Sequence, residues 1–336
     1  MFRRYNSLSL ALLTLLVSPG VAPEHTRASP ASPTCWERLL DWLPEDTETI
    51  VVAQGPFEIP KPAAEKHEFD EAMRFLSIGP VLGLQGGILN EELAGQKVLC
   101  IVEGSRHFTA PRGLGLMPYQ GLHILQFDPA ADGVIQKAFR ACQERADKKI
   151  ELVGEQVVVF TEKHEEDVWS YFISRPQPGV LICATNQACL EETLKRLGRK
   201  PDRRAIPADL PEWKHVDVNA RVWAVRHYRK ESAEKDPSSP LRPKAAANAP
   251  DPDAVGFVFW YNPDSDKLAR VRYLTSAKNA LNIATEGWRQ TKEVLKPNIS
   301  QVAPGVVEIA TSVSEEGTVS MFLFVLMASL GHGIYL

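Results

Sequence analysis

The sequence predicts an α+β protein of two related antiparallel-sheet domains, each built from strand–strand–helix units with helices mainly on one face. Three observations carry that expectation. Short runs of alternating apolar and polar residues recur between turn residues, the pattern of half-buried antiparallel strands. Amphipathic segments follow some of these runs and begin at Asp, Asn or Ser, which favour helix N-caps. One strand–cap–helix block occurs twice: "VLICATNQACLE" from Val180 lies without a gap over "VRYLTSAKNALN" from Val271.

The elements follow in order. "CWERLLDWLPEDTETIVVAQG" gives a short amphipathic helix, a stop at Pro44 and a strand from Thr49 to Ala53. A helix is expected from Glu65 to Leu76, with Phe69, Met73 and Leu76 at helical spacing. The strands "KVLCIVEG" and "GLHILQF" are followed by the helix "DGVIQKAFRACQER", capped by Asp128 or Asp132. A meander comes next: "KKIELVGEQVVVFTEK" turns at Gly154-Glu155, and "DVWSYFISRPQPGVLICATN" turns at Pro176 to Gly179. Trp169, Tyr171 and Ile173 alternate onto one buried face, and a helix from Asn186 to Leu197 ends at Gly198. In the second half come the strands "RVWAVRHY", "GFVFWY" and "LARVRYLTS", the helix "AKNALNIATEGWRQ", the strand "VVEIATSV" and a last helix, "EEGTVSMFLFVLMASL".

The domain reading assigns residues 1–31 to a signal peptide and flexible leader, and 32–200 to the first α+β domain. A linker occupies 201–215, and the second α+β domain spans 216–336. The leader has Arg3 and Arg4 before the apolar run Leu8 to Val17, then small residues, which is the layout of a secretory signal. Residues 230–253 are polar and rich in Pro, Ala and Ser, and bury too little apolar area to offset their ordering entropy, so a disordered loop is expected there. The apolar part of the last helix, Val319 to Leu330, is shorter than the roughly 20 residues that cross a bilayer, so no transmembrane helix is expected in the mature chain.

At 336 residues, with 44% hydrophobic and 24% charged residues, the chain has material for two globular cores. A net charge of −4 removes the basic excess that nucleic-acid binding needs. The five cysteines, Cys35, Cys100, Cys142, Cys183 and Cys189, lack the repeated close spacing of a zinc site or a disulfide framework, and their pairing stays open.

Cys189 lies in the first turn of a helix, where the dipole lowers a thiol pKa, but a nucleophilic cysteine also needs a base in reach. His123, His164 and His215 are the imidazoles on offer. The overlay argues against reactivity, because Cys183 falls on Leu274 and Cys189 on Ala280, so both thiols read as small core hydrophobes. "EKHEED", Glu162 to Asp167, lacks metal-ligand spacing and reads as a solvated acidic turn. "GLQGGILNEEL" lacks the parts of a phosphate-binding loop. "NIS" at Asn298 fits a glycosylation sequon. No catalytic residue, cofactor or metal is assigned.

The one binding surface with a physical rationale is an anionic-ligand face made of Arg221, Arg226, Arg270 and Arg272 with Trp223 and Tyr273. Paired strands bring cations and aromatic rings together, which suits an anionic glycan, while a solubilising sheet face is the bland alternative.

The opening "LPEDTETIVVA", the repeated strand–strand–helix units and the closing "LGHGIYL" resemble uncharacterised exported proteins of planctomycete-type bacteria. The resemblance implies secretion or a periplasmic location and brings no activity or catalytic residues. The leading expectation is an exported, non-enzymatic binding or structural protein of the cell envelope, its partner an envelope protein or an anionic glycan. The alternative is a hydrolase-like enzyme with a site between the loop around His107 and the domain interface. Convergence of titratable groups with perturbed pKa values in a pocket containing His107 or Cys189 would favour the enzyme.

Overall fold

The fold is that of a computed structural model, which describes residues 35–59, 89, 91–106, 120–164, 167–197, 199, 204–227, 254–262, 268–287 and 297–312. Five expectations therefore lie outside the described residues: the leader, the helix at 65–76, the loop around His107, the loop 230–253 and the last helix. The protein is a mostly antiparallel sheet with few helices, an α+β arrangement. It divides into two compact units, one of Met1–Thr47 with Val52–Ala205, the other of Glu48–Val51 with Ile206–Leu336.

The first unit begins with helix α1 (Cys35–Leu40), the part of strand β1 (Thr49–Glu58) from Val52 on, and strands β2 (Lys97–Arg106) and β3 (Gln120–Phe127). Helix α2 (Asp132–Arg145) follows, then β4 (Lys148–Leu152), β5 (Glu155–His164), β6 (Asp167–Gln177), β7 (Val180–Ala184) and helix α3 (Gln187–Arg196). In space the strands run β1-β2-β3-β7-β6-β5-β4, so the meander β4 to β7 folds back to lay β7 antiparallel to β3. Leu125, Phe127, Tyr171, Ile173, Leu181 and Cys183 form one buried face with Ile135, Ala138, Phe139 and Cys142 of α2.

Helices cover both faces of this sheet, which corrects the expectation of helices mainly on one. All five residues of β7 are buried, as a strand sandwiched between layers requires. Glu45 N donates to Glu192 Oε1 of α3 at 2.8 Å, and the Leu43 side chain lies over the Cα of Gly104, which pairs with Leu122. Hence α3 and the segment after α1 share the Leu122 face, while α2 holds the Leu125 face.

Asp132 ties the start of α2 to the turn before β7. Its carboxylate accepts from Arg175 Nη2 at 2.6 and 2.7 Å and from Gly179 N at 2.9 Å. These charge-assisted bonds, Arg175 foremost, hold its pKa below the ordinary value.

The second unit holds a 3-10 turn (Pro211–Lys214) and strands β8 (Val222–His227), β9 (Ala254–Tyr261) and β10 (Leu268–Thr275). Helix α4 (Ala280–Gly287), β11 (Asn298–Ala303) and β12 (Val306–Ser312) complete it. The spatial order is β8-β9-β10-β12-β11, with all four pairs antiparallel. Ala280 and Ala284 of α4 pack on Val307 and Ile309. Strand β11 was not foreseen, since its polar, uncharged sequence drew notice only as a sequon.

From Ile206 onward the expected linker is part of the second unit. Trp213 of the 3-10 turn packs edge-on against Trp223 at 5.8 Å between ring centroids, and Glu212 is fully buried. Apolar anchors in a proline-rich stretch turned a supposed connector into a packed layer.

The two units share one detail of backbone pairing. Phe127 N, at the end of β3, donates to Gly179 O at 2.8 Å; Thr275 N, at the end of β10, donates to Gly305 O at 2.9 Å. Both glycines adopt positive φ, 72° and 71°, in the turn that starts the returning strand. The strand preceding a helix thus receives the returning strand in each unit, β3 with β7 and β10 with β12. The gapless overlay had instead matched β7 with β10. Burial departs from it as well: Leu190 is buried, whereas its counterpart Leu281 is 37% exposed.

Candidate functional site

The strand–helix junction at Thr185-Asn186 is closed by its own backbone and side chains. Asn186 Oδ1 accepts from Ala188 N at 2.9 Å and Cys189 N at 3.2 Å, so the first donors of α3 are already used. Thr185 N donates to Gly121 O at 3.0 Å, and Gly121 N donates to Thr185 Oγ1 at 2.9 Å. Cys189 is buried, and so is Cys183, whose thiol burial pushes far above its ordinary pKa. His123 is cross-strand from Cys183 but fully buried, and desolvation lowers its pKa to about 4. Both thiols and the imidazole belong to the core.

An open, charged concavity lies in the second unit. Lys214, His215, Val216 and Asp217 form one wall; Trp260 and Asn262 from the end of β9 and Arg270 and Arg272 from β10 form the other. The concavity is open to solvent and has a volume of about 500 Å³. Strand register explains the second wall: Arg270 pairs with Trp260, and Arg272 with Val258, so alternate residues project to one face.

Arg272 is the fixed cation of the pocket. Its guanidinium lies 4.8 Å from the Trp260 ring centroid. Nε and Nη2 each reach Glu308 Oε2 of β12 at 2.8 Å, and Nη1 donates to His215 O at 3.3 Å. The same bond joins the two walls. His215 has its pKa lowered by desolvation first, then by Arg272 and Lys214, with Glu212 opposing.

Register separates the six residues expected to form the anionic-ligand face. Arg270 and Arg272 line the pocket. Trp223 pairs with Trp260 on the same face but is fully buried, so it supports the wall from below. Arg226 pairs with Phe257, which pairs with Tyr273, and this row belongs to the opposite face; Arg226 is buried there. Arg221 precedes β8, half-buried, outside the lining. The expected face is therefore two faces, because adjacent positions along a strand point opposite ways.

Lys214, His215, Val216, Asp217, Trp260 and Asn262 were missed as pocket residues. The one available signal was the aromatic Trp213 beside a Lys-His pair in a stretch otherwise polar. His107 lies outside the described residues, as do the side chains of Glu162, His164 and Asp167. Among the described residues no group of three or more His, Cys, Asp or Glu comes together as a metal site.

The site is thus a basic pocket floored by a stacked arginine–tryptophan pair on an antiparallel sheet. No protein-family model and no curated protein matches the chain. Two solved structures are similar, crystal forms III and I of the Treponema protein TP0453. Both are 12% identical, covering 85% of this chain and 97% of that one, with TM-scores of 0.44 and 0.41.

Proposed function

We propose that this is an exported, non-enzymatic binding protein of the bacterial cell envelope, whose second unit holds an acidic group of an envelope glycan. The observation that carries the reading is the pocket itself, lined by Lys214, Arg270 and Arg272 with Asp217, Arg272 being held in place by Glu308. Oriented cations beside a low-dielectric wall attract anions more strongly than a scattered surface charge does. Export rests on the leader composition and on the resemblance to exported planctomycete-type proteins.

The shared backbone pairing supports a further part of the reading. The two units are related domains, each a strand, a helix and a returning strand pinned by a positive-φ glycine. The pocket belongs to the second copy, whose connecting segment supplies Lys214 and His215.

Cosedimentation with purified envelope glycan tests the function. The mature chain is expected to pellet with the polymer and to be released by salt, as screened ion contacts require. Charge reversal at Lys214 and Arg270 should weaken capture at least roughly tenfold, about 1.4 kcal/mol. Unchanged capture by the double reversal would remove the pocket from the function.

A further inference from the structure

We propose that anion binding in the second-unit pocket takes up a proton at His215, so that the site prefers a tetrahedral oxyanion ester and holds it more tightly as pH falls. The inference rests on the binding reading above and adds its ligand class and its control.

His215 stands in the pocket wall between Lys214 and Asp217, facing Arg270 and Arg272 of β10. The other charged groups near it are Glu212 on its own segment and Glu308 of β12, the latter engaged by Arg272 at 2.8 Å. Asn262 and Trp260 complete the β9 side without charge. An imidazole here sits among cations, and burial together with Arg272 and Lys214 disfavours its protonated form.

An anion entering the pocket reverses that balance. It offsets the repulsion from Arg272 and Lys214 and offers an acceptor to an imidazolium N–H. The protonated form is favoured in the complex more than in the free protein, so binding takes up a proton across the interval between the two pKa values. By linkage the affinity then rises as pH falls through that interval. Ligand class follows from donor placement. Lys214 and protonated His215 come from one wall of the pocket and Arg270 from the other, whereas the two oxygens of a carboxylate lie in one plane. The three outer oxygens of a sulfate or phosphate ester fit them better.

The test uses glucose 6-sulfate, whose charge does not titrate near neutrality, and glucuronate as the carboxylate comparison. Calorimetric titration of the whole chain from about pH 7.5 to about 5.5 is expected to show sulfate-ester affinity rising several-fold, up to the tenfold per unit that one proton allows. Titration in buffers of different ionisation heat should show proton uptake. His215→Gln should lose the pH dependence; Arg270→Ala should bind weakly throughout. Sulfate-ester binding that ignores pH, or a dependence that survives His215→Gln, overturns the coupling and leaves the pocket reading standing. Glucuronate bound as tightly as the sulfate ester overturns the ligand class. Absence of binding to either sugar at every pH sinks the pocket reading itself.

Discussion

Glu212 and His227 meet at 2.7 Å between Oε1 and Nδ1, with the Glu212 side chain wholly withdrawn from solvent and His227 27% exposed. The second carboxylate oxygen, Oε2, is buried with no hydrogen-bond partner. The carboxylate sits directly over Gly256, where a Cβ would collide with it. His227 N in turn donates to Glu48 O at 3.1 Å. The pair therefore clamps the 3-10 turn, and with it Lys214 and His215, onto β8 and β9.

Removing the imidazole should expose the strength of that clamp. His227→Ala leaves a buried carboxylate without its partner, at an expected cost of about 2–3 kcal/mol. Glu212→Gln retains an acceptor for Nδ1–H and should cost about 1 kcal/mol less. Urea unfolding of the three proteins checks the order. A loss below about 1 kcal/mol in His227→Ala would mean that the apolar Trp213–Trp223 contact alone seats the turn.

The two turn glycines should respond unequally to alanine. Both need positive φ, which strains an L residue by about 1–2 kcal/mol. At Gly179 the nearest atom to an added Cβ is Phe127 O at 3.4 Å, ordinary contact, whereas at Gly305 the added Cβ would overlap Thr275 O. Gly305→Ala must also shift backbone and is expected to cost about 1 kcal/mol or more beyond Gly179→Ala. Thermal unfolding of the two variants decides it, and equal losses would contradict the structure.

These particulars show what sequence pattern conveys. The helix at 132–145 and the meander from Lys148 to Ala184 were legible residue by residue, because local alternation and turn chemistry set them. Which strands become neighbours was not legible, since β3–β7 and β10–β12 are joined across long stretches of chain. The site failed for the same reason. Arg270 and Arg272 are visible as cations on a strand, but their partners arrive from a loop more than fifty residues earlier, held by Glu212 and Trp213. Arg226 and Tyr273 were misplaced because side-chain direction depends on register, which composition does not carry.

His123 should make stability depend on pH. Burial keeps its folded-state pKa near 4 against an ordinary value of 6.5; Glu103 Oε2, at 3.8 Å, is beyond hydrogen-bond distance and does not reverse this. The neutral form is the one the fold accepts, so the contribution is fully present above pH 6.5. Between about 6.5 and 4 the unfolded chain binds the extra proton, and stability falls by at most about 1.4 kcal/mol per unit. Below 4 this contribution levels off. The difference in unfolding free energy between wild type and His123→Leu, followed by urea titration, should change through that window. A constant difference would mean His123 does not titrate there.

The thiols give the last prediction. The thiols of Cys100, Cys142, Cys183 and Cys189 are buried, and burial drives Cys142 up to about 12 and Cys183 well above its ordinary value. Thiolate is the reacting form, and a solvent path is also needed, so the native protein at pH 8 lacks both at Cys142 and Cys183. Iodoacetamide labelling read by peptide mapping should therefore leave all four unmodified while the protein is folded and modify them fully in denaturant. Their labelling rate should follow unfolding, because the chain must open before reagent reaches sulfur. Fast native-state labelling of Cys189 near neutral pH would contradict the closed junction at Asn186 and restore the case for a reactive helix terminus.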